Sequence, residues 1–96
     1  MKGYCLFDNV EVHDLAKLEM YKEKVAPLVA KYEGTYAVLG GRFRVVEGTW
    51  APTYLVMIEF PSYEKAEAWY FSEAYAQVKA LRHDAAMANG VIIEGV

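Results

Sequence analysis

The chain has 96 residues and a formal net charge of −3, with 10 Lys and Arg against 13 Asp and Glu. That length predicts one domain, residues 1–96, burying roughly 60–70% of its unfolded surface, and the interspersed, slightly acidic charges exclude the basic field that nucleic acid demands. The single cysteine, Cys5, excludes an internal disulfide and fits a reducing compartment.

Met1-Lys2 leads straight into a strand pattern, with no secretory segment and no apolar run of membrane-spanning length. The expected location is therefore cytoplasmic, with no membrane partner. From Lys2 to Val10, Tyr4, Leu6 and Asp8 alternate with Cys5, Phe7 and Asn9, which predicts strand one. Cys5 reads as a buried, inert thiol in that strand. Asp14 is placed to cap a helix whose apolar stripe is Leu15, Leu18, Tyr21, Val25, Leu28 or Val29, and Tyr32. Pro27 lies inside it and removes the bond to the Glu23 carbonyl, predicting a kink, and Gly34 is expected at C′.

Strand two begins at Thr35, is bent by Gly40-Gly41 and is expected to resume over Arg42–Val46. Gly48, Trp50 and Pro52 mark the turn into strand three, Tyr54 to Phe60, which Pro61 ends. In that strand Tyr54, Val56, Ile58 and Phe60 point one way and Leu55, Met57 and Glu59 the other. Ser62 caps a short helix, and Ser72 starts a second, because Trp69-Tyr70-Phe71 is a run of aromatics that no single stripe can bury. Ala74, Val78, Leu81 and Ala85 form the apolar line of that second helix. Asn89-Gly90 is expected to stop it before strand four, Val91 to Glu94.

The order is β-α-β-β-α-β, the ferredoxin-like α+β pattern, with a four-stranded antiparallel sheet and the helices on one face. Strand three and Val91-Ile92-Ile93 are nevertheless apolar on both faces. The uncovered face predicts a second copy of the chain as partner, a homodimer closed sheet to sheet as a dimeric α+β barrel.

Gly40-Gly41, Glu47-Gly48, Trp50-x-Pro52, Ile58-Glu-Phe-Pro-Ser62, Ala66-x-x-Trp69-Tyr70-x-Ser72-x-x-Tyr75, Arg82 and Glu94-Gly95 together resemble the family named domain of unknown function 1330. The resemblance spans essentially the whole chain. It implies the dimeric α+β barrel fold, shared with cofactor-independent antibiotic-biosynthesis monooxygenases, haem-degrading oxygenases and small isomerases, and it implies no settled reaction. Asn9, Trp69 and His83 follow the order of the asparagine, tryptophan and histidine of the haem-degrading group, with a Trp-to-His gap about one helical turn too long.

The split topology brings Asp8, Asn9, His13, Arg42, Arg44, Tyr54, Arg82 and His83 to one sheet edge, while Lys2, Glu33, Glu59 and Glu94 gather at the other. A pocket between helices and sheet, open at the first edge, would be lined by Trp69, Tyr70 and Tyr75 and reached by Arg42 and Arg82. The guanidinium fork suits a carboxylate, enolate or phosphate. The plainer alternative pairs Arg42 and Arg44 with Asp8 or Glu47 at the surface. His83 is the weak candidate for acid/base work, because histidine titrates near neutrality; Glu59 and Glu94 read as structural.

No Cys/His cluster has metal spacing, no phosphate-cradling glycine loop precedes a helix, and no serine sits in a nucleophile elbow, so no metal and no cofactor are expected. Two readings stand. One is a binder of a small organic anion, or an enzyme acting on one without a cofactor as a monooxygenase or isomerase. The other is a pocketless dimerisation module whose aromatics only fill the core.

Overall fold

The computed structural model describes residues 1–96. The elements are β1 (Gly3–Val12), α1 (Leu15–Lys31), β2 (Thr35–Leu39), β3 (Leu55–Phe60), α2 (Tyr63–Tyr70), α3 (Glu73–Ala85) and β4 (Ala86–Glu94). The strands form one antiparallel sheet in the order β2-β3-β1-β4, the ferredoxin-like arrangement. No helix is long and apolar enough to cross a membrane.

Register decides what each face carries. Cys5 opposite Ile58 and Phe7 opposite Val56 put the inner positions of β1 and β3 under the helices. There Cys5, Ile58, Phe60, Val25, Val29, Ala66, Trp69 and Tyr75 make the core. Aromatic contacts run through it, with ring centroids 5.5 Å apart for Phe60–Trp69 and 4.3 Å for Trp69–Tyr75. On the outer face Val38 pairs with Met57, Met57 with Leu6, and Leu6 with Val91, an apolar row across all four strands. Val91 and Ile93 there are 49% and 41% exposed.

The helix starts fall where read, and the end of α1 is displaced by one residue. Asp14, Ser62 and Ser72 each accept a hydrogen bond from an amide of the first turn. Ser72 also donates to the Trp69 carbonyl at 2.8 Å, closing α2 where α3 begins. α1 runs through Pro27. At its end Glu33, with φ 65°, takes the left-handed position expected of Gly34. Glu33 N–H reaches the Ala30 carbonyl and Gly34 N–H the Val29 carbonyl, a Schellman closure in which Gly34 is C″ rather than C′.

Two strand expectations are corrected. Residues 41–46 form no strand. Gly40, at φ 66°, makes the last bond to the Leu55 carbonyl and turns the chain away, and the segment that would pair with 42–46 holds Gly48 and Pro52. β4 begins at Ala86, not Val91, and Asn89-Gly90 lies inside it. β1 continues to Val12, past an irregularity between Asn9 and Glu11, and pairs Val12 with Ala86 and Glu11 with Met87. That pairing overrides the helix propensity of Ala-Ala-Met-Ala. Gly90 is tolerated because the Phe7 ring occupies the space of its missing side chain; a Cβ there would stand 2.7 Å from the ring.

Candidate functional site

At the α2 end the inner core is filled; at the α1 end it is not. A cavity of about 210 Å³ lies between α1 and the sheet. Phe7 and Asn9 come from β1, Tyr36 and Leu39 from β2, and Val56 and Ile58 from β3. Tyr54 precedes β3, Leu18, Tyr21, Val25 and the exposed Ala26 come from α1, and Arg82 from α3. The exposed Leu39 and Lys22 mark its mouth.

Arg82 is the group that defines this site. It is only 5% exposed, and its guanidinium carbon sits 4.7 Å from the centroid of the Phe7 ring. None of the four ion pairs in the structure (Lys2–Glu59, His13–Glu11, Lys17–Asp84, Lys22–Glu19) includes it. Its Nη2 lies 3.4 Å from His83 Nε2, and its Nε has no partner. Asn9 Oδ1, on the same cavity, is likewise buried without a partner. Buried polar atoms are nearly always hydrogen-bonded; the third such atom without a partner, Trp69 Nε1, lies in the filled core.

Behind the wall, the Tyr21 and Tyr75 hydroxyls meet at 2.9 Å. Burial pushes the Tyr21 hydroxyl well above the ordinary phenol range; neighbouring Tyr75 adds to this and Arg82 opposes it. Burial also raises Tyr75, against the pull of Arg82, and raises Tyr36. These phenols stay protonated, and those of Tyr21 and Tyr75 share a hydrogen bond.

Asp8 faces the other side of the sheet. Its carboxylate accepts from Thr53 N–H at 3.1 Å, Tyr54 N–H at 3.3 Å and Trp50 Nε1 at 3.4 Å, fastening residues 50–54 and thereby the Tyr54 wall. Arg42 and Arg44 lie in the exposed 41–50 segment, in no ion pair and away from the cavity. Trp69 and Tyr75 are fully buried core residues. Tyr70 and His83 line a second cleft, between α3 and β4. His83 is exposed; partial burial first, then Arg82 and Lys79, lower its pKa. Lys2, with the Tyr4 hydroxyl, engages Glu59 at the far edge. No group of three or more His, Cys, Asp or Glu side chains converges as a metal site would require.

Of the predicted ligand residues, then, the structure brings Arg82 to the cavity and sets Arg42, Trp69, Tyr70 and Tyr75 elsewhere. Tyr21, read from sequence only as part of the α1 apolar stripe, and Tyr36 of β2 line it instead. The available signal was the hydroxyl: a tyrosine on a fully inward position needs a polar partner that phenylalanine does not.

Solved structures share this fold at low identity. A protein of unknown function from Rhodopseudomonas palustris matches with TM-score 0.72 at 12% identity, covering 99% of this chain and 82% of that one. A dimeric ferredoxin-like protein of unknown function from Bacteroides fragilis matches with TM-score 0.62 at 12% identity, covering 98% and 96%. SnoaB, a cofactor-independent oxygenase from Streptomyces nogalater, matches with TM-score 0.60 at 9% identity, covering 99% and 91%. No curated protein matches the sequence. The family model described as domain of unknown function (DUF1330) matches residues 2–96, and the chain therefore belongs to the DUF1330 family.

Proposed function

We propose that this protein is a homodimeric binder of a small, flat organic anion, held between α1 and the sheet with its charge on Arg82. The observation that carries this reading is the buried guanidinium without a counter-ion. An unpaired buried charge costs several kcal/mol, and a ligand carboxylate would supply the missing partner as a bidentate pair. The volume of about 210 Å³ exceeds the roughly 150 Å³ that takes up benzene, leaving room for one ring and a carboxylate. Phe7, Tyr21, Tyr36 and Tyr54 offer the ring its walls, and Asn9 a hydrogen bond. Trp69 and Tyr75 act from behind, fixing Tyr21 and the helix that carries Arg82.

The dimer follows from the outer face. Val38, Met57, Leu6 and Val91 form an apolar row on the face away from the helices, with Val38 and Val91 exposed, and related folds include proteins described as dimeric. A second copy laid sheet to sheet would bury it.

Calorimetric titration of a panel of aromatic carboxylates, with benzoate as the first probe, tests the binding reading. Saturable binding by the natural protein that is lost when Ala26→Phe fills the cavity supports it; no binding by any member overturns it. A second reading, catalysis on the bound anion without a cofactor, is supported by the same guanidinium, because it can hold an enolate or phenolate as well as a carboxylate. Oxygen uptake, or exchange of substrate protons with deuterium, separates the enzyme from the binder.

A further inference from the structure

Phe7 and Arg82 also bound a second cleft, of about 270 Å³, between α3 and β4. Tyr70 and Phe71 form one end, His83 flanks Arg82, and Ala88 and Ile92 line the strand side. Arg82 and His83 line it, and Lys79 stands beside its Tyr70 end without lining it. Lys79, Arg82 and His83 are spaced i, i+3 and i+4 on α3 and so stand on one helix face. Lys79 Nζ lies 4.5 Å from the centroid of the Tyr70 ring, and Arg82 Nη2 is turned toward His83. The one acid beside them on the helix, Asp84, is held by Lys17 at 3.8 Å. Two cations and an imidazole thus stand together in a protein of net charge −3, and no acidic side chain lines the cleft. Arg82, the most deeply buried of them, lines both this cleft and the aromatic cavity, and its buried unpartnered N–H, Nε, can serve an anion in only one of them at a time.

We infer that this cleft is a binding site for a compact tetrahedral oxyanion of the phosphate type, separate from the aromatic cavity although both use Arg82. Donors on three side chains suit a tetrahedral oxyanion, whereas one guanidinium fork is enough for a planar carboxylate. The lysine provides a mobile point charge, the arginine fixed directionality, and the imidazole a third donor.

The test is a titration with inorganic phosphate at constant ionic strength, followed by backbone amide shifts of residues 79–83 and 88–92, with acetate in a parallel arm. Lys79 is only partly buried, so Lys79→Gln leaves the core intact; it should weaken phosphate about five- to tenfold, the loss of one partly screened charge contact. Ala26→Phe, which fills only the aromatic cavity, should leave the phosphate affinity unchanged while abolishing benzoate binding. Saturable phosphate shifts with that pattern support the site even if no aromatic anion binds. Non-saturating shifts, an equal response to acetate, or loss of phosphate binding in Ala26→Phe would overturn it.

Discussion

Arg82→Met separates a guanidinium kept for a ligand from one kept for the fold. Methionine retains most of the side-chain volume and removes the charge. Three terms decide the outcome for the ligand-free protein. Relief of the buried charge, 5% exposed and without a carboxylate, is worth several kcal/mol. Against it stands the contact with Phe7 at 4.7 Å, worth about 1–2 kcal/mol when desolvated. The long contact to His83, at 3.4 Å, adds about 1 kcal/mol at most. The charge term wins, and a net stabilisation of about 1–2 kcal/mol is expected, within the range seen when buried ions give way to apolar groups. For 96 residues this raises Tm by about 5–15 °C. The same substitution removes a charge-assisted bond of about 1.5–3 kcal/mol and should weaken an aromatic carboxylate about 10- to 100-fold. Melting curves at matched protein concentration, with and without benzoate, report both effects. A variant that melts lower without ligand, and binds only as much less as its folded fraction falls, would show a structural arginine and refute the reasoning.

Met57→Lys puts a charge in the middle of the outer apolar row and should abolish a dimer that buries on the order of 2,000 Å²; light scattering that shows an intact, folded dimer would contradict the interface. Burial pushes the Cys5 thiol up to about 12, from an ordinary value of 9.0, so alkylation near pH 8 should run about a thousandfold slower in the folded than in the unfolded chain. The fold holds that proton more tightly, so stability is level below about pH 9 and falls toward about pH 12, by up to about 1.4 kcal/mol per unit for this thiol; denaturant titrations that stay flat across that window would sink the assignment. Ser72→Ala loses the cap on Tyr75 N–H and the bond to Trp69, and should cost about 1–2 kcal/mol in thermal unfolding.

Much of the fold was legible because local and tertiary signals agreed. The alternation in Leu55–Phe60 gave both faces of the sheet, and three cap residues placed three helix starts. The failures came where a partner decides the local state. Arg42–Val46 has the pattern of a strand, but a strand needs a ladder, and the facing segment contains Gly48 and Pro52. Ala86–Gly90 has the composition of a helix end, but β1 extends alongside it and supplies the ladder. Propensity loses to pairing in both directions.

The site followed a different logic, one of volume. Sequence spacing placed Arg82 near the pocket edge, and the structure puts its guanidinium on the cavity wall. It cannot say which aromatics leave space behind them. Trp69 and Tyr75 pack with ring centroids 4.3 Å apart and leave none, whereas Tyr21, Tyr36 and Tyr54 come from α1, β2 and the segment before β3 and do not close upon one another. That difference arises from where three distant segments end, not from any residue's identity. Chemistry does remain visible in the residue types. A core intended only to be filled would carry phenylalanine and leucine at those places, and no arginine at position 82. Hydroxyls and a guanidinium in a core need partners, and the partners the chain supplies leave Asn9 Oδ1 and Arg82 Nε unsatisfied on the same cavity. In the proposed complex Arg82 Nε would donate to the anionic group, whereas Asn9 Oδ1, an acceptor, requires a ligand that also carries a hydroxyl or N–H.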